Sequence, residues 1–243
     1  MDSFDLALAE QAEQGSGVWH NARVGRFTSS ENYRLIKSGY RDMTEAELKA
    51  RPKTGPGSKS KFIEDNTVIA EDTLTYITEK VAETLTGEPK GEVFSHATAW
   101  GETWEPWAAD YYSKVKGVEL EIIGFIPFGD HAGGSIDRGI KGKYEFLEIK
   151  CPHNPKNQID YLMLTDQFDL KRMYPNHYWQ MVSNVLFSKK PIGHFATFDP
   201  RMKLDKHKMM EIIVIPPAED LELLARKLEV AEKEKQKILK LLA

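Results

Sequence analysis

The stretch SIDRGIKGKYEFLEIK, residues 135–150, decides the fold. Its last seven residues, 144–150, predict a β-strand, because aromatic and β-branched side chains suit a sheet. Successive side chains on a strand point to opposite faces, so Glu148 and Lys150 share one face and Ile149 points to the other. Four other residues of the strand are apolar or aromatic, which favours a central and partly buried position: Tyr144, Phe146, Leu147 and Ile149. Burying a carboxylate and an ammonium there without a use would be costly.

An aspartate precedes this strand at a distance that suits a shared site. The strand predicted over residues 131–137 ends in Asp137, which can lie beside Glu148. Two adjacent carboxylates repel each other unless a cation lies between them. With Lys150 they form a known arrangement for cutting phosphodiesters, in which carboxylates hold Mg²⁺ and the ammonium positions or activates the nucleophile. A solvated strand face is the alternative, because Glu-x-Lys also occurs at 47–49.

The elements around this stretch indicate an α+β fold. Short gaps with glycine between the strands 119–128, 131–137 and 144–150 predict antiparallel hairpins. We predict helices over 3–14, 28–38, 44–50, 66–86, 101–115, 174–188 and 218–243, and further strands over 192–198 and 210–215. The chain, 1–243, is interpreted as one domain, with a helical N-terminal region over 1–100 that contains a basic loop 51–61, a core 101–215 and a C-terminal helix 218–243.

The composition excludes several classes of protein. The single cysteine, Cys151, excludes intrachain disulfides, thiolate zinc sites and cysteine-ligated iron–sulfur clusters. No apolar run is long enough to span a membrane, and the acidic N-terminus does not resemble a signal peptide, so we expect a cytoplasmic protein. The net charge of −4 argues mildly against DNA, unless the basic groups are concentrated in a groove or channel.

Two polar side chains on predicted helices are further candidates. Glu105 lies one position off an aromatic stripe of Trp104, Trp107 and Tyr111, which predicts a helix with that stripe facing inward. Gln180 shares one side of the helix 174–188 with His177 and Asn184. From the residues alone, a charge at the border of a buried face and a plain solvated face are the respective alternatives.

The N-terminal segment 19–30, WHNARVGRFTSS, suits a phosphate group. Arg23 and Arg26 precede Ser29 and Ser30 at a predicted helix start. Helix N-termini present free N–H groups, and a guanidinium binds phosphate bidentately. An ordinary helix cap with surface arginines is the alternative. The isolated histidines, among them His194, show no metal-ligand spacing and are interpreted as structural or surface residues.

Taken together, these segments resemble the lambda-type phage exonucleases, the YqaJ-like viral recombinase branch of the PD-(D/E)xK nucleases. The resemblance extends from about residue 14 to 215, in order. Ile136 and Arg138 depart from it, since the family has proline and glycine around its aspartate. Its motifs are carried here by EQGSGVWHNARVGRFTSSE, AWGETWEPWA, SIDRGIKGKYEFLEIKCP, HYWQMV and FATFDPRMK.

The resemblance implies a restriction-endonuclease-like core, a central mixed sheet flanked by helices, and a role for each candidate. Asp137 and Glu148, with the Ile149 carbonyl, would bind Mg²⁺, with two ions expected and Mn²⁺ able to substitute. Lys150 would orient or deprotonate the attacking water, and Glu105 and Gln180 would position a second ion, the water or Lys150. Arg23 and Ser30 would hold the 5′-phosphate of the digested strand.

The implied activity is 5′-to-3′ digestion of one strand of double-stranded DNA, which releases mononucleotides and leaves a 3′ overhang for a single-strand annealing protein. The resemblance also implies a homotrimeric ring in a phage or prophage protein that acts in the bacterial cytoplasm, with basic residues lining the channel and the 51–61 loop at its mouth. The C-terminal helix could pack between subunits or cover its own domain. A site-specific or structure-specific endonuclease and a non-catalytic DNA-binding module are the rival interpretations.

Overall fold

A five-stranded mixed sheet forms the centre of the protein, in a computed structural model that describes residues 15–243 apart from 56, 58 and 92–94. The strands are β1 (Phe27–Thr28), β2 (Ser38–Asp42), β3 (Phe62–Ile69), β4 (Leu120–Glu121), β5 (Phe125–Phe128), β6 (Ala132–Ser135), β7 (Arg138–Ile140), β8 (Glu145–Lys150), β9 (Ile192–Phe198) and β10 (Met209–Val214). The α-helices are α1 (Gly17–Arg23), α2 (Glu45–Ala50), α3 (Glu71–Thr86), α4 (His96–Lys116), α5 (Pro155–Leu162), α6 (Gln167–Met173), α7 (Pro175–Ser188), α8 (Asp205–Lys208) and α9 (Ala218–Leu242).

The central sheet has the strand order β10-β9-β8-β7-β4. Strand β8 pairs in parallel with β9 and antiparallel with β7, and β10 runs antiparallel to β9. A parallel pair needs a long crossover, which helices α5, α6 and α7 provide. Helices α5 and α6 had no counterpart in the sequence predictions. The predicted α+β class, with a mixed sheet flanked by helices and a long C-terminal helix, is confirmed.

The predicted meander is divided between two sheets. Strands β5 and β6 form a hairpin in a three-stranded sheet with the order β1-β6-β5, whereas β7 and β8 belong to the central sheet. The expected strand 119–128 is therefore two short strands in different sheets. Strand β6 packs so closely against the residue after β1 that a Cβ at Gly134 would lie 1.8 Å from the Ser29 hydroxyl oxygen. The chain passes from one sheet to the other at Ile136 and Asp137.

The N-terminal region departs from two helix predictions. Over 28–38, only Asn32–Leu35 is helical, as a short 3-10 turn, because Thr28 joins β1 beside β6 and Ser38 begins β2. The predicted helix 66–86 begins only at Glu71, because pairing with β2 holds the chain before it in strand β3. Its end at Gly87, in the left-handed conformation, is confirmed.

Other predictions in this region have different outcomes. The helix predicted over 44–50 is confirmed, with a capping box between Thr44 and Glu47. In the predicted basic loop 51–61, the described residues form turns and bends, and Arg51 Nη1 donates to the Ser60 carbonyl at 2.7 Å. The predicted helix 3–14 lies outside the described residues.

Helix α4 buries part of the predicted aromatic stripe, because Trp104 and Tyr111 pack against the sheet and Trp107 does not. Ala108, Ala109 and Tyr112 lie against the sheet, while Trp107 is 64% exposed. The small alanine side chains allow the helix to approach the strands closely. Glu105 precedes these residues by three, four and seven positions, so it lies on the buried face, at the end of the helix that reaches the site.

The C-terminal helix α9 covers its own domain. It packs against α3, α7 and the 3-10 turn, and buries Leu224, Leu228 and Ala231. Lys235, which interrupts the apolar spacing, is also buried. In the described portion of the chain, none of the helices combines the length and apolarity that crossing a membrane requires.

Candidate active site

Glu148 is a buried carboxylate that accepts three hydrogen bonds. Its strand β8 is central, so only 1% of the residue is exposed. Lys150, on the same face, donates from Nζ to Oε1 at 2.7 Å. Gln180 and Asn184, one turn apart on α7, donate to Oε1 at 2.6 Å and to Oε2 at 2.9 Å. The polar side of α7 is therefore a wall of the site and no solvated face.

Asp137 lies beside Glu148 because of how β7 pairs with β8. The register Arg138↔Leu147 and Gly139↔Phe146, extended by one residue, puts Asp137 opposite Glu148. At this point the chain has left the ladder, and Asp137 Oδ2 accepts a hydrogen bond from the Ile149 amide at 2.6 Å. The Asp137 carboxylate thus accepts the hydrogen bond that the backbone of a neighbouring strand would otherwise accept. This contact fixes a buried aspartate beside the central strand β8.

Glu105 reaches this cluster from α4 through a cation. Arg138 Nη1 donates to Glu105 Oε1 at 3.1 Å, and also to the backbone carbonyl of Asp137. Arg138 occupies the position at which the sequence departs from the family glycine. The structure therefore brings Glu105, Asp137, Glu148 and Lys150 together, with Arg138 as a member that the sequence showed only as a departure from the family motif.

The carboxyl groups of the cluster are held in surroundings that disfavour negative charge. Burial, followed by the charge of Asp137, raises the pKa of Glu148 to about 8 and that of Glu105 to about 7. Burial also raises the pKa of Asp137. For Lys150, burial lowers the pKa, but the charges of Glu148 and Asp137 outweigh it and raise the pKa overall. The cluster contains three carboxyl groups, and only two cations, Lys150 and Arg138, lie among them.

A cleft of about 400 Å³ opens beside this cluster. Glu105, Ile149 and Lys150 line one side of it, and Tyr161 and His177 also line it. The Tyr161 hydroxyl lies 2.9 Å from His177 Nε2, and burial, with the nearby Lys150 charge, lowers the pKa of His177 to about 3. His177 is therefore a neutral ring in the wall of the cleft.

The N-terminal cluster is connected to the same region through Trp19. The Arg23 guanidinium lies 4.0 Å from the centre of the Trp19 ring, and Trp19 Nε1 donates to the Ser135 hydroxyl at 2.7 Å. Ser135 is two residues before Asp137. Arg26 is instead buried, and donates to the Gly129 carbonyl at 2.7 Å, which is a structural role.

The serine side of the cluster differs from the predicted helix start. Ser30 is exposed, two residues before the 3-10 turn. Thr28 and Ser29 are buried, and their hydroxyl oxygens have no hydrogen-bond partner among the described residues. The segment thus presents one exposed hydroxyl beside two buried ones, rather than the N-terminus of a long helix.

The sequence model of the YqaJ-like viral recombinase domain matches residues 18–190. The chain belongs to this family. The resemblance inferred from the motifs is confirmed, and so is the PD-(D/E)xK type of fold. The match includes every predicted site residue, from Arg23 to Gln180.

Solved structures of other proteins have the same fold as this chain. An alkaline exonuclease from Laribacter hongkongensis matches with a TM-score of 0.69 and 19% identity, over 93% of this chain and 96% of that one. Its complex with dAMP matches with a TM-score of 0.70 at the same identity and coverage. A phage-related exonuclease from Haemophilus somnus 129PT gives 0.66 and 10%, over 90% and 96%. Comparison with curated proteins gives no significant match.

The residues of the cluster suit a magnesium ion. Mg²⁺ prefers oxygen ligands, and is usually held by one or two carboxylates together with water and substrate phosphates. Asp137, Glu148 and the Ile149 carbonyl provide that kind of donor set. Within the described residues, no three side chains of histidine, cysteine, aspartate or glutamate form a complete metal cage. Mg²⁺ does not require one.

One arginine beside the site carried a sequence signal only within the family motifs. Arg201, in the segment FATFDPRMK, binds both carboxylate oxygens of the fully buried Asp199 at 2.8 Å. It also donates to the Pro152 carbonyl at 3.0 Å and lies 4.2 Å from the centre of the Trp100 ring. Arg201 thereby ties the segment that follows Lys150 to the end of β9 and to α4.

Proposed function

We propose that this member of the YqaJ-like viral recombinase family is a Mg²⁺-dependent nuclease that hydrolyses DNA phosphodiesters. The observation that carries the proposal is the buried Glu148 carboxylate, held between Lys150, Gln180 and Asn184, with Asp137 tied to the next amide of the strand. A purely structural strand would leave such a costly group at its surface or replace it by an apolar one.

Asp137, Glu148 and the Ile149 carbonyl are the residues proposed to hold the metal. When bound, Mg²⁺ polarises the phosphate and makes the attacking water more acidic. Gln180 and Asn184 fix the orientation of the Glu148 carboxylate. Lys150 uses one of its N–H groups on Glu148, which leaves the others for the water or a phosphate oxygen.

Glu105 is proposed to act at the outer side of the same cluster. It lines the cleft and is paired with Arg138. In that position its carboxylate can hold a second Mg²⁺ ion or orient the water, and Gln180 acts on the first ion through Glu148. Mn²⁺ is expected to substitute, because it accepts the same oxygen donors.

The proposed substrate is the end of double-stranded DNA, digested 5′ to 3′. Arg23 and Ser30 are proposed to bind the 5′-phosphate, supported by the link from Arg23 through Trp19 to Ser135 beside Asp137. The Laribacter hongkongensis protein is described as an alkaline exonuclease and was solved with dAMP. We accordingly propose mononucleotides as products, with a 3′ overhang handed to a single-strand annealing protein.

We also propose an oligomeric state and a cellular location. A homotrimer with basic residues lining a channel would reconcile a net charge of −4 with DNA binding. We propose that it acts in the cytoplasm of a bacterial host.

The test is nucleotide release from linear duplex DNA labelled at one 5′ end or the other, with Mg²⁺ and with EDTA, beside a covalently closed circle. Metal-dependent release from 5′-phosphorylated ends, with the circle intact, is the expected result. A cut circle would instead establish an endonuclease on the same fold. DNA binding that is unchanged in D137A, without cleavage in any metal, would establish a non-catalytic binding module.

A further inference from the structure

The turn that carries Arg23 has a geometry that requires glycine. Val24 has φ −54° and ψ 124°, Gly25 has φ 69°, and the Arg26 amide donates to the Arg23 carbonyl at 3.0 Å. These values define a type II turn over residues 23–26, whose third position needs a positive φ. A Cβ at Gly25 would also lie 2.5 Å from the Thr84 hydroxyl oxygen, so the turn is pressed against α3.

Two buried charges hold the Gly25 backbone from opposite sides. The Gly25 amide donates to Glu83 Oε2 on α3 at 2.9 Å. The Gly25 carbonyl accepts a hydrogen bond from Lys235 Nζ on α9, also at 2.9 Å. Both of these side chains are only 6% exposed. Each of the two charges also has an ion-pair partner. Lys80 Nζ lies 2.8 Å from the Glu83 carboxylate, and Lys235 Nζ lies 2.8 Å from the Glu232 carboxylate.

Lys235 occupies a position at which the packing of α9 calls for an apolar residue. Leu224, Leu228 and Ala231 precede it on the buried side of the helix. An ammonium at such a position is costly, and an apolar side chain of similar size could fill the space. What the lysine adds is a directed hydrogen bond to one carbonyl, that of Gly25, two residues after Arg23.

We propose that Lys235 is a positioning residue for the 5′-phosphate pocket, which it controls by fixing the turn that presents Arg23. Arg23 is then held at both ends, by the Gly25 contacts at its backbone and by the Trp19 ring at its guanidinium. Lys235 lies beyond residues 18–190, so the C-terminal helix contributes to the pocket from outside the family domain. The inference rests on the proposed binding of a 5′-phosphate by Arg23.

The test compares equilibrium binding of 5′-phosphorylated and 5′-hydroxyl duplex DNA, labelled at a 3′ end, to the full chain in EDTA. The preference for the phosphorylated end is the ratio of the two dissociation constants. We expect K235M to lower this preference about tenfold, the loss that a misplaced charge-assisted contact produces. The control K237M removes an exposed lysine of the same helix, and should leave the preference unchanged. R23A, the reference variant, should abolish it.

If Lys235 were purely structural, K235M would weaken binding to both kinds of DNA end equally and leave the preference unchanged. That result, obtained while R23A loses the preference, would overturn the proposal. If K235M does not fold by circular dichroism, E83Q weakens the hold on the other side of the same backbone unit. E83Q should then lower the preference, and an unchanged ratio would refute the positioning role. A wild-type chain without any preference would overturn the phosphate pocket and this inference together. Because binding is measured without metal, a missing nuclease activity would appear only in the separate cleavage assay.

Discussion

The buried position of Glu148 predicts that the metal-free protein loses stability as the pH rises. The pKa of this carboxyl is raised by burial and then by the charge of Asp137 to about 8 in the folded state, against 4.5 as its ordinary value. Between these values the folded state keeps a proton that the unfolded state has released. The folded state therefore binds more protons, and the free energy of unfolding must fall as the pH increases through this range.

The variant E148Q removes this penalty. A rise in pKa from 4.5 to about 8 corresponds to roughly 5 kcal/mol at 1.36 kcal/mol per pH unit. Asp137 and Glu105 share this penalty, so only part of it belongs to Glu148. We expect the free energy of unfolding of E148Q, measured relative to wild type, to increase by about 2–3 kcal/mol when the pH is raised from about 5.5 to about 8.5. The introduced amide finds a partner, since the buried Asn184 Oδ1 has no hydrogen bond with the described residues and can accept from it after a flip.

Urea denaturation in EDTA at the two pH values measures this difference directly. E119Q is the matched control, because Glu119 is an exposed carboxylate paired with Lys141 at the surface. Its stability difference from wild type should change little with pH. The reasoning would be refuted if the difference in the free energy of unfolding between wild type and E148Q were the same at both pH values. The Glu148 carboxylate would then carry no burial penalty. Adding Mg²⁺ should stabilise wild type and not E148Q.

Three further outcomes follow from individual contacts. K150A should lower cleavage by about a thousandfold or more while the protein still binds Mg²⁺ in a calorimetric titration; full activity would refute the proposed site. H194Q should destabilise by about 1–3 kcal/mol below pH ~6.5 and by less at higher pH, because hydrogen bonds from the His194 ring to Glu211 and a second carboxylate outweigh burial and raise its pKa. Urea titrations at several pH values measure this effect, and a constant difference would contradict it. G25A should cost about 1–3 kcal/mol more than G142A, because both glycines have a positive φ but only Gly25 has a neighbour in the way; equal losses in thermal unfolding would contradict this.

The local features of the active site could be predicted from the sequence. Alternation on a strand put Glu148 and Lys150 on one face, and helical spacing put Gln180 and Asn184 on one side of α7. Both are properties of the backbone and survive in any fold that contains these elements. The structure adds that the two faces meet, with hydrogen bonds of 2.6 Å and 2.9 Å.

Predictions failed where a distant partner determined the local conformation. Residues 66–69 have a helical pattern, but they belong to strand β3, which pairs with β2, and residues 28–38 are divided between β1, a 3-10 turn and β2. The exposure of Trp107 on α4 has the same origin, because the sheet packs against Ala108 and Ala109 beside the other two aromatic residues of the stripe. Pairing and close packing depend on residues far along the chain, which a local pattern does not contain.

The sequence by itself determined which side chains could act and which of them share a strand or a helix face. Only the tertiary structure decided that Asp137 leaves the ladder to accept a hydrogen bond from Ile149, that Arg138 pairs with Glu105, and that Lys235 reaches back to Gly25. The physical reason is that local spacing follows from backbone geometry, whereas these contacts close loops of up to 210 residues and form only when the whole core is packed.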